Sequence, residues 1–299
     1  MKKYLGIDLG GTQVRAAVVD EKGTIHQIES APSLSLESSE PIINNLYEVV
    51  DRIDGLNELS GIGIGVPGPV DQVNGWMNLA SNIPAMVKVP LVKLLSERYH
   101  LPVYMDNDAN VAALAEASVG VGKGLPIVVY VTHSTGIGAG IVINGQTVSG
   151  QHGFAGEIAN LIVNDNYPKI NHLNAGSVEN VAAGVGFVRH GQERIDKNIV
   201  SGKEIFDLAE AGNAEAIKII DEMSFHFAKG LSMLSAVLDP HCIIIGGGIT
   251  KSSRLYFDKL HEYYHSMVHE SLRDLHFQLP VLEEPGIIGA AMLPLSHGE

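Results

Sequence analysis

At 299 residues, 45% hydrophobic and 18% charged, the chain can bury a large core, suits two domains better than one, and lies outside the composition of disordered segments. Lys and Arg number 20 against 34 Asp and Glu, a formal net charge of −14. A surface that acidic repels phosphate backbones, which argues against nucleic acid as a partner, so any nucleotide site must be built locally from backbone N–H groups and a metal. The single Cys, Cys242, rules out an internal disulfide and suits a reducing compartment. Asp8 and its neighbouring glycines interrupt any signal-peptide core, and apolar runs such as 127–131 are too short to span a bilayer. A cytoplasmic protein with no membrane partner is expected.

Residues 4–20 (YLGIDLGGTQVRAAVVD) read as a strand, a Gly-rich turn and a returning strand. Gly61–Pro67 (GIGIGVP) reads as a buried strand running into a turn, and Val103–Met105 as a short strand leading through Asp106-Asn107-Asp108 into a helix from about Ala109 to Ser118. Residues 127–144 (IVVYVTHSTGIGAGIVIN) repeat the plan of the first segment and end in the hairpin signal Asn144-Gly145. Ile220, Met223, Phe227, Leu231, Leu234 and Leu238 recur at spacings of three and four, predicting an amphipathic helix that Asp239-Pro240 stops. Cys242–Ile245 then forms a buried strand ending at Gly246-Gly247-Gly248. Strands alternating with helices predict an α/β fold. The pattern places a domain boundary near Asp108, giving residues 1–108 and 109–285, with a C-terminal helix from about 286 to 299 packing back on the first domain.

Three glycine-rich turns invite phosphate chemistry. In Asp8-Leu9-Gly10-Gly11-Thr12 a strand delivers an Asp to a turn whose amides can approach a phosphate, and Asp8 suits a hydrated Mg²⁺. The same residues also make an ordinary hairpin with a solvated Asp. Thr135, Gly136 and Gly138 form the matching loop of the second repeat, and Gly246, Gly247 and Gly248 permit close approach by a flat ring such as adenine. Each turn alone is weak evidence; their order along one chain is more specific.

DLGGT at 8–12, GVPGPVD at 65–71, DNDAN at 106–110, STGIGAG at 134–140, AGE at 155–157 and GGG at 246–248 together resemble the ROK (repressor, ORF, kinase) sugar kinases, and the likeness runs from Lys3 to about Ala291. The resemblance implies a two-lobed ribonuclease-H-like fold of the actin-like ATPase type, ATP and sugar meeting in an inter-lobe cleft, Mg²⁺, hinge closure and a homodimer. It makes Asp108 the general base, although an Asp at a strand-to-helix junction is more commonly an N-cap. Asn107 is then a sugar-hydroxyl ligand, Asn82 a weaker candidate, and Glu157 and Glu179 are two further sugar-contacting carboxylates.

The departures are informative. Many family members follow Gly-Glu with X-Gly-His and then a Cys-X-Cys-Gly-X-X-Gly-Cys segment that binds a structural zinc. Here the His position is Asn160 and the Cys positions are Ile170, His172 and Ser177, so no zinc is expected. Asn160 is shorter than the His that contacts the anomeric end of the sugar, which opens the site to C1-substituted sugars. Ser134 stands where the family usually has Gly. His261-Glu262-Tyr263-Tyr264-His265, with His269 a turn further, matches the HExxH pattern, but its three fixed residues match by chance too easily to outweigh an ordinary amphipathic helix. The expected function is ATP-dependent phosphorylation of a hexose, most simply at the 6-hydroxyl. The alternatives are a non-catalytic sugar sensor, against which the strand beginning at Tyr4 leaves no room for a helix-turn-helix, and an actin-like or chaperone-like ATPase.

Overall fold

The computed structural model describes residues 1–299. β1 (Lys3–Leu9) and β2 (Gln13–Asp20) pair antiparallel from Lys3↔Asp20 to Leu9↔Val14, and β3 (Ile25–Pro32) pairs antiparallel with β2. β3 alternates half-buried and exposed residues along its length, as an edge strand with one wet face does. After α1 (Ser39–Val50), β4 (Ile62–Val66) enters parallel to β1. A short ribbon, β5 (Val70–Asp71) with β6 (Trp76–Met77), and α2 (Leu91–Tyr99) lead to β7 (Val103–Asn107), parallel to β4. The resulting order is β3-β2-β1-β4-β7. β4 is buried at every residue, as a parallel strand covered on both faces must be.

α3 (Asp108–Ser118) follows β7 without a linker. β8 (Ile127–His133), β9 (Ile137–Ile143) and β10 (Gln146–Thr147) come next, and Asn144 and Gly145 take positive φ of 52° and 79°, the geometry a two-residue hairpin demands. The remaining elements are α4 (Val178–Ala182), α5 (Gly184–Arg194), α6 (Gly202–Glu210), α7 (Ala214–Leu238), β11 (Cys242–Gly246), α8 (Phe257–Met267), β12 (Phe277–Gln278) and α9 (Pro285–Ser296). The second sheet is ordered β10-β9-β8-β11-β12. No helix is long and apolar enough to cross a membrane.

Two compact units result: Met1–Tyr130 with Gly140–Gly156 and Pro280–Glu299, and Val131–Ala139 with Glu157–Leu279. The boundary expected near Asp108 therefore falls inside the first unit, because α3 packs on α9 and keeps residues 109–130 with it. α9 lies on β1 and β4 as well, and glycines make these contacts possible. A Cβ on Gly63 would stand 1.8 Å from the Ala290 carbonyl oxygen, and one on Gly289 would stand 1.6 Å from that of Val111.

In the second unit α7 buries Ile220, Met223, Phe227, Leu231 and Leu234. The Asn213 side chain caps it, accepting from the Glu215 and Ala216 N–H groups at 3.0 Å each, and Asp239 ends it at φ 45°. α8 buries Leu260 and Tyr264, and the Tyr264 hydroxyl donates to Ser235 Oγ at 2.9 Å. α8 ends at Met267 and Val268 is extended, so His269 does not continue the helical face of His261 and His265. His261 instead stacks on Phe277, ring centroids 4.6 Å apart.

Gly289→Ala sets a helix-propensity gain of about 1 kcal/mol against a backbone clash that forces two helices apart. The clash wins, and urea unfolding is expected to show a net loss of at least about 2 kcal/mol. Gly138→Ala, where an added Cβ meets nothing within 4 Å, is expected to stay within about 0.5 kcal/mol of wild type.

Candidate active site

In the first unit, three chain turns gather polar groups at the ends of the sheet strands. Asp8, directly opposite Arg15 in the β1–β2 register, accepts from the Arg15 guanidinium at 2.5 Å through Oδ2. The other arm of that guanidinium reaches Glu284, the residue before α9, also at 2.5 Å. A Cβ on Gly286 would lie 3.6 Å from Asp8 Oδ2, so the carboxylate stands against the start of α9. In the turn between β1 and β2, the Gly10 N–H donates to the Gln13 carbonyl at 2.9 Å and Thr12 O accepts from the Ser33 N–H at 3.0 Å. Gly11 backs onto Asn82, where a Cβ would come within 3.0 Å of Asn82 Cβ. The structure thus brings Asn82 to the Gly10–Thr12 turn.

At the β7–α3 junction the two adjacent candidates divide their work. Asn107 is the N-cap: its Oδ1 accepts from the Asn110 N–H at 2.7 Å, so its amide NH₂ takes no part in capping. Asp108 is the first helical residue and is relieved of capping. Its Oδ1 accepts from the neighbouring Ala109 N–H at 2.8 Å, and no side chain hydrogen-bonds to the carboxylate. The side chain is open to solvent, yet dense protein surrounds it. Desolvation raises the carboxyl pKa, the Ala109 N–H opposes the rise, and the negative charge of Asp8 adds to it.

The second unit holds a cavity of about 710 Å³ lined by Ser134, Thr135, Val185, Phe206, Gly248 and Arg254 among others. Val185, Val188, Ile249 and Leu255 give it apolar walls, and Lys203 and Lys251 supply positive charge. Arg254 and Glu210, both in the lining, form an ion pair. The floor is rigidly set. The Gly184 and Val185 N–H groups donate to the Ser134 and Thr135 carbonyls at 2.8 and 3.1 Å. Gly247 takes φ 97° and lies so close to β8 that a Cβ would be 2.5 Å from the His133 oxygen. Of the expected GGG segment, Gly246 ends β11, Gly247 makes this close approach, and Gly248 lines the cavity, 3.5 Å from Ser134 Oγ to an added Cβ.

Glu179 is partly committed to that loop. Its Oε2 accepts from the Ile137 N–H at 3.0 Å and packs on Gly136, leaving Oε1 for other partners. Gly138 has open space around its α-carbon. Glu157 is exposed at the head of a short 3₁₀ turn, Ile158–Asn160. Asn160 Oδ1 accepts from the Asn174 N–H at 2.6 Å, and the Val163 and Asn164 N–H groups donate to Gly176 O at 2.8 and 3.2 Å. Asn171 and Asn180 exchange amide hydrogen bonds at 3.1 Å. Amide hydrogen bonds therefore close the segment where the zinc-binding pattern has decayed.

Sequence reasoning missed Arg15 and Glu284. An Arg inside the otherwise apolar run Val14–Val19 was the available signal, but its second partner lies 269 positions away. The apolar cavity walls carried no signal at all, since Val, Ile and Leu read only as core.

A model of the ROK family matches residues 4–296. The chain belongs to the ROK family. The glucokinase of Thermotoga maritima is 30% identical over 306 residues, covering 97% of this chain and 96% of that protein. The structure of a ROK hexokinase from Thermus thermophilus matches with a TM-score of 0.88 at 30% identity, covering 99% of this chain and 100% of the other. A ROK family glucokinase from Streptomyces griseus, in complex with glucose and AMPPNP, matches with a TM-score of 0.76 at 27% identity, covering 97% and 98%. The α/β fold with its two five-stranded sheets is thus that of the ROK sugar kinases, within the actin-like ATPases.

In this ROK protein the raised pKa of Asp108 has a consequence for stability. The folded chain binds that proton more tightly than the unfolded one, so ionisation costs stability at neutral pH, and the cost vanishes as pH falls below the ordinary carboxylate range. Asp108→Asn is expected to melt at or above the wild-type temperature at pH 7 and to lose that advantage in acid, as differential scanning calorimetry would show. Asn160→Ala, which removes the acceptor for Asn174, is expected to lower stability by about 1 kcal/mol, while a zinc chelator leaves the wild-type melting temperature unchanged.

Proposed function

We propose that this protein transfers the γ-phosphoryl group of ATP to the 6-hydroxyl of a hexose or hexose derivative, with Asp108 as general base. The chain is an ATP-dependent sugar kinase, as its full-length ROK match shows together with its likeness to glucokinases, one of them holding glucose and an ATP analogue. The observation that supports Asp108 as the base is the division at the β7–α3 junction. Asn107 takes over the cap, which leaves Asp108 a carboxylate that no side chain engages and a pKa shifted toward that of a base.

Proton removal from the acceptor hydroxyl falls to Asp108, and Asn107 orients a neighbouring hydroxyl through its amide NH₂. Asn82, at the Gly10–Thr12 turn, and Glu157 are the further sugar contacts, with Glu179 Oε1 as a fifth. The cavity of Thr135 and Gly248 suits the nucleotide: apolar walls take the flat base, and Ser134 and Thr135 offer hydroxyls.

Asp8 fits a magnesium ion held through water. Its Oδ2 is fixed by Arg15, and its Oδ1 has no protein partner. Magnesium held there would supply positive charge against that of the phosphates. The same reading carries a homodimer in the cytoplasm, which sedimentation velocity would check for the dimer.

Asn160 bears on the substrate. Its carbonyl is tied to Asn174, so it brings no cationic or imidazole contact to the sugar, which favours acceptance of C1-substituted sugars beside free hexoses. ADP release is therefore expected with glucose and with methyl β-glucoside; rejection of every C1-substituted sugar would remove the second half of this reading. Asp108→Asn is expected to lose about 10²–10⁴-fold or more in kcat while binding sugar normally in calorimetry. Near-normal turnover in that variant would exclude Asp108 as the base. For the wild type, the raised pKa places the acid limb of the kcat profile above the ordinary carboxylate range, with activity lost as pH falls through it.

A further inference from the structure

Directly before Asn107 and Asp108 stands a carboxylate with no role in the chemistry above. Asp106 is 1% exposed, and no cation pairs with it. Hydrogen bonds alone hold it: from Thr147 Oγ1 at 2.7 Å, Asn110 Nδ2 at 2.8 Å, Gln72 Nε2 at 3.0 Å, Ser149 Oγ at 3.0 Å and the Asn107 N–H at 2.8 Å. The donors come from three separate stretches: the turn after β5, the β7–α3 junction with the first turn of α3, and β10 with the residues after it. Burying a carboxylate without a counterion is unfavourable unless donors saturate it, and a hydrophobic residue of similar volume would serve stability better. The arrangement therefore has a purpose other than holding the core together.

Its geometry shows what it holds. Asn107 N–H to Asp106 Oδ1, Asn110 Nδ2 to the same oxygen, and Asn110 N–H to Asn107 Oδ1 close a ring around the start of α3, which over-determines the backbone that carries Asp108. From the other side, Ser149 Oγ accepts from Asn110 Nδ2 at 3.2 Å while it donates to Asp106. The Ser149 carbonyl accepts from the Ala155 N–H at 3.1 Å, and Gly153 lies so close to β5 that a Cβ would be 2.3 Å from Val70 O. The stretch 149–155 is thus pinned at both ends just before the chain reaches Glu157.

We propose that Asp106 is a positioning residue for sugar phosphorylation: its carboxylate clamps the Asn107-Asp108 junction to the 147–155 stretch and so sets the acceptor-binding groups in one register. This rests on reading Asp108 as the base. The clamp works through an anion that accepts from five donors at its centre. Asp106→Asn removes the charge and turns one oxygen into an NH₂, so the hydroxyls and amides around it must turn and the hold on the tethered stretches weakens.

A displacement of about 1 Å at reacting groups costs roughly 10²-fold. Asp106→Asn is expected to lower kcat/KM for sugar by about 10–100-fold, with sugar KM raised and kcat lowered, while KM for ATP stays within about 2-fold. Ser149→Ala and Thr147→Val each remove one donor and are expected to give the same pattern at about 3–10-fold, and neither adds to the loss in the Asp106→Asn background. Wild-type kcat and sugar KM in folded Asp106→Asn protein, or equal weakening of sugar and ATP, would overturn the proposal. If Asp106→Asn does not fold, the two donor variants decide it: loss confined to the sugar parameters supports positioning, and unchanged sugar kinetics in both overturn it. Asp108→Asn measured alongside separates the two readings. An active Asp108→Asn enzyme ends the base assignment, whereas an inactive one beside a wild-type-like Asp106→Asn ends only the clamp.

Discussion

Backbone meets backbone where α9 crosses β4 and α3, and the first unit depends on that contact. Gly63 and Gly289 leave 1.8 and 1.6 Å where a methyl group would have to fit, so the helices and the sheet come closer than any other residue would let them. One consequence is local: the start of α9 stands at Asp8, with Glu284 completing the Arg15 ion-pair bridge. The other is that α3 is pressed against α9 along its length, which fixes the junction that presents Asn107 and Asp108. Packing of small residues thus sets the spacing of the groups to which the chemistry is assigned. Their electrostatics follow, because Asp8 and Asp108 sit near enough for one charge to raise the other's pKa.

The two units present different physics. The first collects carboxylates and amides around strand ends and tolerates a buried, cation-free Asp106 for the sake of geometry. The second offers an apolar cavity whose polar floor comes from main-chain turns pinned by Gly184, Gly247 and Glu179. In a chain of net charge −14, this is how an anionic ligand can be accommodated: local N–H groups and a few Lys and Arg residues at the rim act where the global field does not help. The stretch 160–177 adds a parallel case. Where relatives with the full cysteine pattern would cross-link through a metal, this chain uses Asn160, Asn171 and Asn180, whose amides donate and accept at once.

Much of the α/β pattern was legible because it rests on short-range rules. The period of α7, the stop at Asp239-Pro240, the Asn144-Gly145 turn and the glycine-bracketed strands are each decided within a few residues. The ordered motifs also named the family, since their sequence order survives even where single motifs are weak. One expectation met the limit of such rules. The boundary near Asp108 followed the pattern of strands and helices, but the partner of α3 is a helix some 170 positions later, and no local signal announces it. The HExxH match, set aside from sequence as chance, also lacks a continuous helix to His269, since α8 ends at Met267.

By itself, then, the amino-acid sequence determined the secondary structure, the family and the residue types available for chemistry, because periodicity, turn propensity and motif order act over short distances. Only the tertiary structure decided what each candidate is free to do. It gave the cap to Asn107 and so released Asp108, tied Asn160 to Asn174 and Glu179 to the Ile137 amide, bridged Asp8 to Glu284 through Arg15, and buried Asp106 among donors from three stretches. Those outcomes depend on contacts between residues up to 269 positions apart, and hydrogen-bond partners at that range are chosen by packing, not by neighbours in the chain.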